Sequence, residues 1–154
     1  MNAPHEPILL ELPSSAQLLP LVRSTLLTLA ETCPSVRFEH AELEEFAVAL
    51  QEGCTNAVRH GNGNDARKLF RVTFVRRDDG LEVWVEDEGP AFALSDGPGP
   101  DPEALQEGGY GTSIMRAWSD EVHLTRQNGR NRLSLLRLYR TAVDSQEIDR
   151  VAAC

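Results

Sequence analysis

Long apolar runs are missing from this 154-residue chain. No stretch reaches the roughly 20 residues that a bilayer-spanning helix needs, so a membrane protein is not expected. Cysteine is scarce. Cys33, Cys54 and Cys154 are an odd set of three with no C-x-x-C pair. That argues against a disulfide framework or a zinc site and for a reducing compartment. Positive charge is short as well: 15 Lys+Arg stand against 24 Asp+Glu, for a formal charge of -9. A phosphate backbone or an anionic lipid surface would repel such a chain, so neither nucleic acid nor membrane is expected as a direct partner. The segment from Met1 to Pro7 lacks the basic and apolar regions of a secretion signal, and a cytoplasmic location is the expectation.

What is present is an ordinary globular balance, 41% hydrophobic and 25% charged, over a length that suits one core. The expected organisation is one domain over residues 1–140 and a polar tail over 141–154. Ile8 to Leu12 reads as a strand closed by Pro13. Ser14 and Ser15 offer an N-cap for a helix to about Thr32, with Pro20 early enough to be tolerated. A second helix is expected from about His40 to Arg59, with Leu43, Phe46, Leu50 and Cys54 on its buried face. Gly61 to Asp65 is a stop signal. Strands follow at Leu69 to Arg76 and Leu81 to Val85, joined by a turn at Asp78-Asp79-Gly80. From Gly89 to Gly109 the chain is rich in Gly, Pro and acids, the composition of a lid or binding loop. A helix at about Thr112 to Ser119 and two strands, Glu121 to Gln127 and Leu133 to Tyr139, complete the pattern. The expected fold is a two-layer α/β sandwich, its helices on one face of a mostly antiparallel sheet. Trp84 and Trp118 sit in apolar patterns and read as core aromatics, while His5, His40 and His123 show no metal-ligand spacing.

Three constellations carry chemistry. Glu52, Asn56 and His60 are spaced i, i+4, i+8 and share one helical stripe. A carboxylate there can act as a base and an Asn carbonyl can ligate Mg²⁺. Spacing alone favours the plainer reading, a solvated polar stripe opposite the core. Asp87-Glu88-Gly89 ends a strand, where Asp can accept from a base amino group and Gly admits a planar ligand; a simple turn explains it too. Gly108-Gly109-Tyr110-Gly111-Thr112 opens a helix, where free N–H groups and the dipole suit phosphate; a flexible hinge is the plainer alternative.

The order of the three is more specific than any one of them. The chain resembles the GHKL (Bergerat-fold) ATPases, whose N, G1 and G2 boxes these segments match. Glu52 to Gly61, Asp87 to Gly89, Gly108 to Met115 and Asp120 to Val122 most resemble the anti-sigma-factor serine kinases of bacterial partner switching. The resemblance runs from about Ile8 to Leu138. It implies binding of ATP and Mg²⁺, sequestration of a sigma factor, and phosphorylation of a serine on a STAS-type anti-anti-sigma protein. It implies a homodimer through the first strand and helix. Glu52 would be the general base and Asn56 the Mg²⁺ ligand. Asp87 would read the adenine amino group beside Gly89 and Ala91, and His60, Gly108, Gly109, Tyr110, Gly111 and Thr112 would line the nucleotide. Arg23, on the first helix, would face a partner.

The chain departs from that pattern at three points. Ala91 replaces the second glycine of D-x-G-x-G. The segment between Arg77 and Arg116 holds no cation and carries Asp96, Asp101, Glu103 and Glu107. Neutralising the γ-phosphate would then fall to Mg²⁺, helped by Arg59, Arg67, Lys68 or Arg116. The threonine usual beside adenine has no clear equivalent, with Asn131 as a substitute. A binding-only switch that sequesters its partner is the alternative these departures raise.

Overall fold

A computed structural model of the chain describes residues 6–34, 36–94 and 110–139. Strands β1 (Ile8–Pro13), β2 (Leu69–Arg76), β3 (Gly80–Asp87), β4 (Glu121–Gln127) and β5 (Arg130–Leu138) form one sheet in the order β1-β2-β3-β5-β4. Every adjacent pair is antiparallel. Alternation along the strands decides which side chains meet the helices. Phe70, Val72 and Phe74 of β2 and Leu81, Val83 and Val85 of β3 are at most 2% exposed and point to one face. Helices α1 (Leu19–Thr32), α2 (His40–Asn56) and α3 (Tyr110–Ala117) supply the other half of that core, through Leu26, Phe46, Leu50 and Met115. Each such fully buried side chain stabilises the fold by roughly 1.5–3 kcal/mol relative to exposure. Among the described residues, no helix is long and apolar enough to cross a membrane.

Local chemistry sets the ends of these elements. Ser15 Oγ accepts from Gln17 N and caps a 3₁₀ turn, Ala16–Leu18, so the α-helix begins slightly later than its cap implies. Pro20 falls in the first turn of α1, where no intrahelical N–H is lost. Glu42 folds back to accept from the Glu39 backbone N–H at 3.3 Å and starts α2. The helix expected to run to Arg59 is α-helical to Asn56 and then widens into a π turn, Ala57–Gly61, closed by Asn62 N–H on the Ala57 carbonyl at 2.8 Å. Asn128 (φ 53°) and Gly129 (φ 75°) both take the left-handed conformation that a two-residue hairpin demands. The tail over 141–154, His5, Cys154 and the acidic residues Asp96, Asp101, Glu103 and Glu107 lie outside the described residues.

Trp84 corrects the sequence reading. Val83 and Val85 take the inward positions, so period two turns Trp84 to the outer face of the sheet. There its ring lies under the Arg132 guanidinium, 4.4 Å from Cζ to centroid, and its Nε1 donates to Glu82 Oε1 at 2.7 Å. Trp118, just past α3, is half-buried rather than a core anchor.

Candidate nucleotide site

The helical stripe of α2 and the start of α3 converge. A Cβ placed on Gly111 would lie 3.0 Å from Glu52 Oε2 and 3.7 Å from Asn56 Nδ2. A side chain at 111 would therefore fill the space those two groups face. Beside them is a cavity of about 270 Å³ lined by Asn56, His60, Phe92, Ala93, Gly111 and Thr112. Phe92 and Ala93 also border a second cavity of about 330 Å³, which reaches Leu124, Arg126 and Asn131 on the β4–β5 hairpin.

Asp87 ends β3 at the base of the arrangement and is 4% exposed. Its Oδ1 accepts from Gly89 N–H at 2.8 Å and from Asn131 Nδ2 at 2.9 Å. Glycine is required on both sides of it. A Cβ on Gly61 would stand 2.4 Å from the Asp87 Cγ, and one on Gly89 would stand 2.2 Å from the Gly61 carbonyl oxygen. The backbone of the π turn thus lies directly on the carboxylate and the turn after β3. Asn131 stands beside Asp87 through the β3–β5 register, which pairs the two residues. The substitute suggested by the sequence does contact Asp87.

Other expected site residues are placed less centrally. Ala91 and Tyr110 are exposed, at the two edges of the residues that lie outside the description. Gly108 and Gly109 fall among those. Arg23 is half-buried between α1 and α2, where it pairs with Glu44. Of the cations considered for the phosphates, Arg67 is engaged by both oxygens of Asp65, at 2.9 Å from Nε and from Nη2. That pairing holds the Asp65 carboxyl down at about 2. Cys54 is fully enclosed in the core, and burial pushes its thiol well up, so it is no nucleophile.

Two residues of the site escaped the sequence reading. Asn62, 1% exposed, donates to Ser14 Oγ at 2.7 Å and to the Leu69 carbonyl at 3.1 Å, and accepts from Glu88 N–H at 3.3 Å. It joins the ends of β1, α2 and β3 under the site, yet in sequence it is one Asn in a turn-forming run. Arg126 Nη1 donates to the Gly89 carbonyl at 2.9 Å and to Asn131 Oδ1 at 2.8 Å. Its only signal in sequence is its position next to the Asn-Gly hairpin, which sets it opposite Asn131.

Known proteins are similar to this chain in sequence and in fold. Residues 13–137 match the family described as histidine kinase-like ATPase domain. The chain is 29% identical over 128 residues to the serine-protein kinase RsbW of Bacillus subtilis, covering 78% of each chain. It is 34% identical over 111 residues to the protein of the same name in Bacillus licheniformis, covering 67% of this chain and 69% of that one. A crystal structure of the RsbU and RsbW domains of a Mycobacterium tuberculosis protein is similar in fold, with a TM-score of 0.61 at 23% identity. That match covers 91% of this chain and 34% of the larger one.

Proposed function

From its place in the histidine kinase-like ATPase family, to which this chain belongs together with the serine-protein kinases named RsbW, we propose that it is an ATP-dependent protein-serine kinase and anti-sigma factor. Its substrate would be a serine on a STAS-type anti-anti-sigma protein, and its sequestered partner a sigma factor. The observation that carries the kinase reading is the close approach of Gly111 to both Glu52 and Asn56, with Asn56 and Gly111 lining one cavity.

The chemistry follows from these positions. A serine hydroxyl attacks the γ-phosphorus, the bond to the ADP oxygen breaks, and the hydroxyl proton passes to the Glu52 carboxylate. Such transfer depends on placement and charge neutralisation more than on covalent catalysis. Asp87 accepts from the adenine amino group, and its burial sharpens that recognition by excluding water. The first turn of α3 presents N–H groups to the phosphates, and Gly111 keeps the approach free of a side chain. Asn56, with its amide beside Glu52, would hold Mg²⁺, which supplies charge neutralisation to the polyphosphate.

The remaining features of the reading are a cytoplasmic homodimer and a partner contact at Arg23. β1 is an edge strand, and Leu9 on it is 56% exposed, as Leu21 on α1 is 47%. Those are surfaces that a second subunit would cover. The binding-only alternative is disfavoured by the retention of both Glu52 and Asn56 against Gly111 and by the serine-protein kinase names of the relatives.

The kinase reading is tested with full chain, Mg-ATP and a STAS-type antagonist, wild type beside Glu52→Ala. The expected outcome is a fall in serine phosphorylation of about 100-fold or more, the usual share of a general base. ATP affinity by calorimetry should stay within about twofold, because Glu52 faces the acceptor rather than the nucleotide base. Equal phosphorylation by both proteins would remove Glu52 as the base.

A further inference from the structure

A chain of hydrogen bonds runs from β4 to the base of the site. Arg126 Nη1 donates to both the Gly89 carbonyl and Asn131 Oδ1. Asn131 passes its Nδ2 hydrogens to Asp87 Oδ1 and to the Pro90 carbonyl, each at 2.9 Å. The Asn131 side chain is 2% exposed, so water cannot substitute for these partners. Turned over, the amide would set its oxygen against a carboxylate and a carbonyl, and its NH₂ against a guanidinium. Only one orientation is compatible with all three neighbours.

The orientation has a consequence for Asp87. Among the described residues, the hydrogen bonds it accepts, from Gly89 N–H and Asn131 Nδ2, both fall on Oδ1. In the adenine-nucleotide reading, Oδ2 would be the oxygen that accepts from the base amino group. Without Arg126, the Gly89 and Asn131 oxygens would stand as two acceptors with no shared donor. The turn carrying Gly89 would then lose its tie to the hairpin.

We propose that Arg126 is a positioning residue for base choice: through Gly89 and Asn131 it aims Asp87, and so sets the preference for adenine over guanine nucleotides. The inference rests on the adenine-nucleotide reading above. An acceptor at Asp87 suits the amino group of adenine, whereas guanine brings an oxygen to the same place and acceptor meets acceptor. Arg126 gives its charge to two oxygens on the base side. Its removal should therefore weaken AMP and ATP alike and spare GTP, whereas a contact to the β- or γ-phosphate would weaken ATP more than AMP and one to the α-phosphate would weaken GTP as well.

Calorimetric titration of the full chain with AMP, ATP and GTP tests this. Arg126→Ala should weaken ATP and AMP by the same factor, about tenfold, the size expected for one misdirected hydrogen bond. GTP should change by less than about twofold, so the ATP-to-GTP ratio falls. Asn131→Ala should lower the ratio similarly, and the double variant should lower it little further, because the two act as one unit. Arg126→Lys, which keeps a cationic donor and guards against a folding defect, should restore part of the ratio. A normal ratio in Arg126→Ala would overturn the assignment, as would a loss for ATP well above that for AMP. Wild-type chain that bound no ATP would overturn the nucleotide reading itself, whereas a selective wild type with an insensitive Arg126→Ala overturns the role of Arg126 alone.

Discussion

Gly61 is the residue with the least room in the site. Its Cα faces the Asp87 carboxylate, and a methyl group there would sit 2.4 Å from Cγ, well inside contact distance. Gly61→Ala should therefore push Asp87 away from its donors. ATP binding, followed by calorimetry, is expected to fall at least about tenfold, and stability by roughly 1–3 kcal/mol, the usual cost of overpacking. Binding at wild-type strength would show that Asp87 does not read the base. At this scale part of the site was legible in sequence. Glu52, Asn56, Asp87 and Gly111 belong to short segments whose order, rather than any one of them alone, points to one chemistry, and the fold brings Gly111 against Glu52 and Asn56. Asn62 and Arg126 were not legible. Their partners are Ser14 and Gly89, distant in the chain, and nothing local distinguishes a buried Asn from a turn Asn or a bracing Arg from a solvated one.

At the scale of elements, periodicity was a good guide and phase a poorer one. The strand from Leu69 to Arg76 and the strand from Glu121 to Gln127 have the expected limits. The last strand starts earlier, at Arg130, because the Asn128-Gly129 turn needs only two residues. Trp84 was apolar enough to be read inward, but the valines on either side claim the inner face. Past the end of β5, Tyr139 packs on Phe38 with ring centroids 5.0 Å apart, while its buried Oη finds no hydrogen-bond partner among the described residues. Burial pushes this phenol up to about 12 from its ordinary 10.0. A raised folded-state value means the native protein holds the proton more tightly than the unfolded chain. The associated stability is complete below about pH 10 and is lost as pH rises toward 12. Tyr139→Phe should flatten that alkaline loss relative to wild type. Near neutral pH it should be harmless or stabilising by up to about 1 kcal/mol, since it removes an unpaired buried hydroxyl. Urea unfolding at pH 8 and pH 11 measures both, and a variant as alkali-sensitive as wild type would refute the assignment.

For the whole molecule the sign of the charge is the main lever. A net charge of -9 on a chain of 154 residues favours a partner with a basic surface and opposes one that is acidic. Association with a sigma factor is therefore expected to weaken about tenfold or more between about 50 and 300 mM salt, through a slower on-rate, because the Debye length shortens. Surface-bound kinetics over that range measure it, and a flat response would remove the electrostatic part of the partner reading. Sedimentation over the same range reports the proposed dimer. Composition, charge and periodicity by themselves determined the class of fold and the candidate segments for the proposed chemistry, because those depend on local spacing and on sums over the chain. Only the tertiary structure decided that the π turn lies on Asp87, that Trp84 faces outward, and that Arg126 ties the turn at Gly89 to the β4–β5 hairpin. Those facts rest on close approach between segments far apart in the chain, and packing distance is a property no single segment possesses.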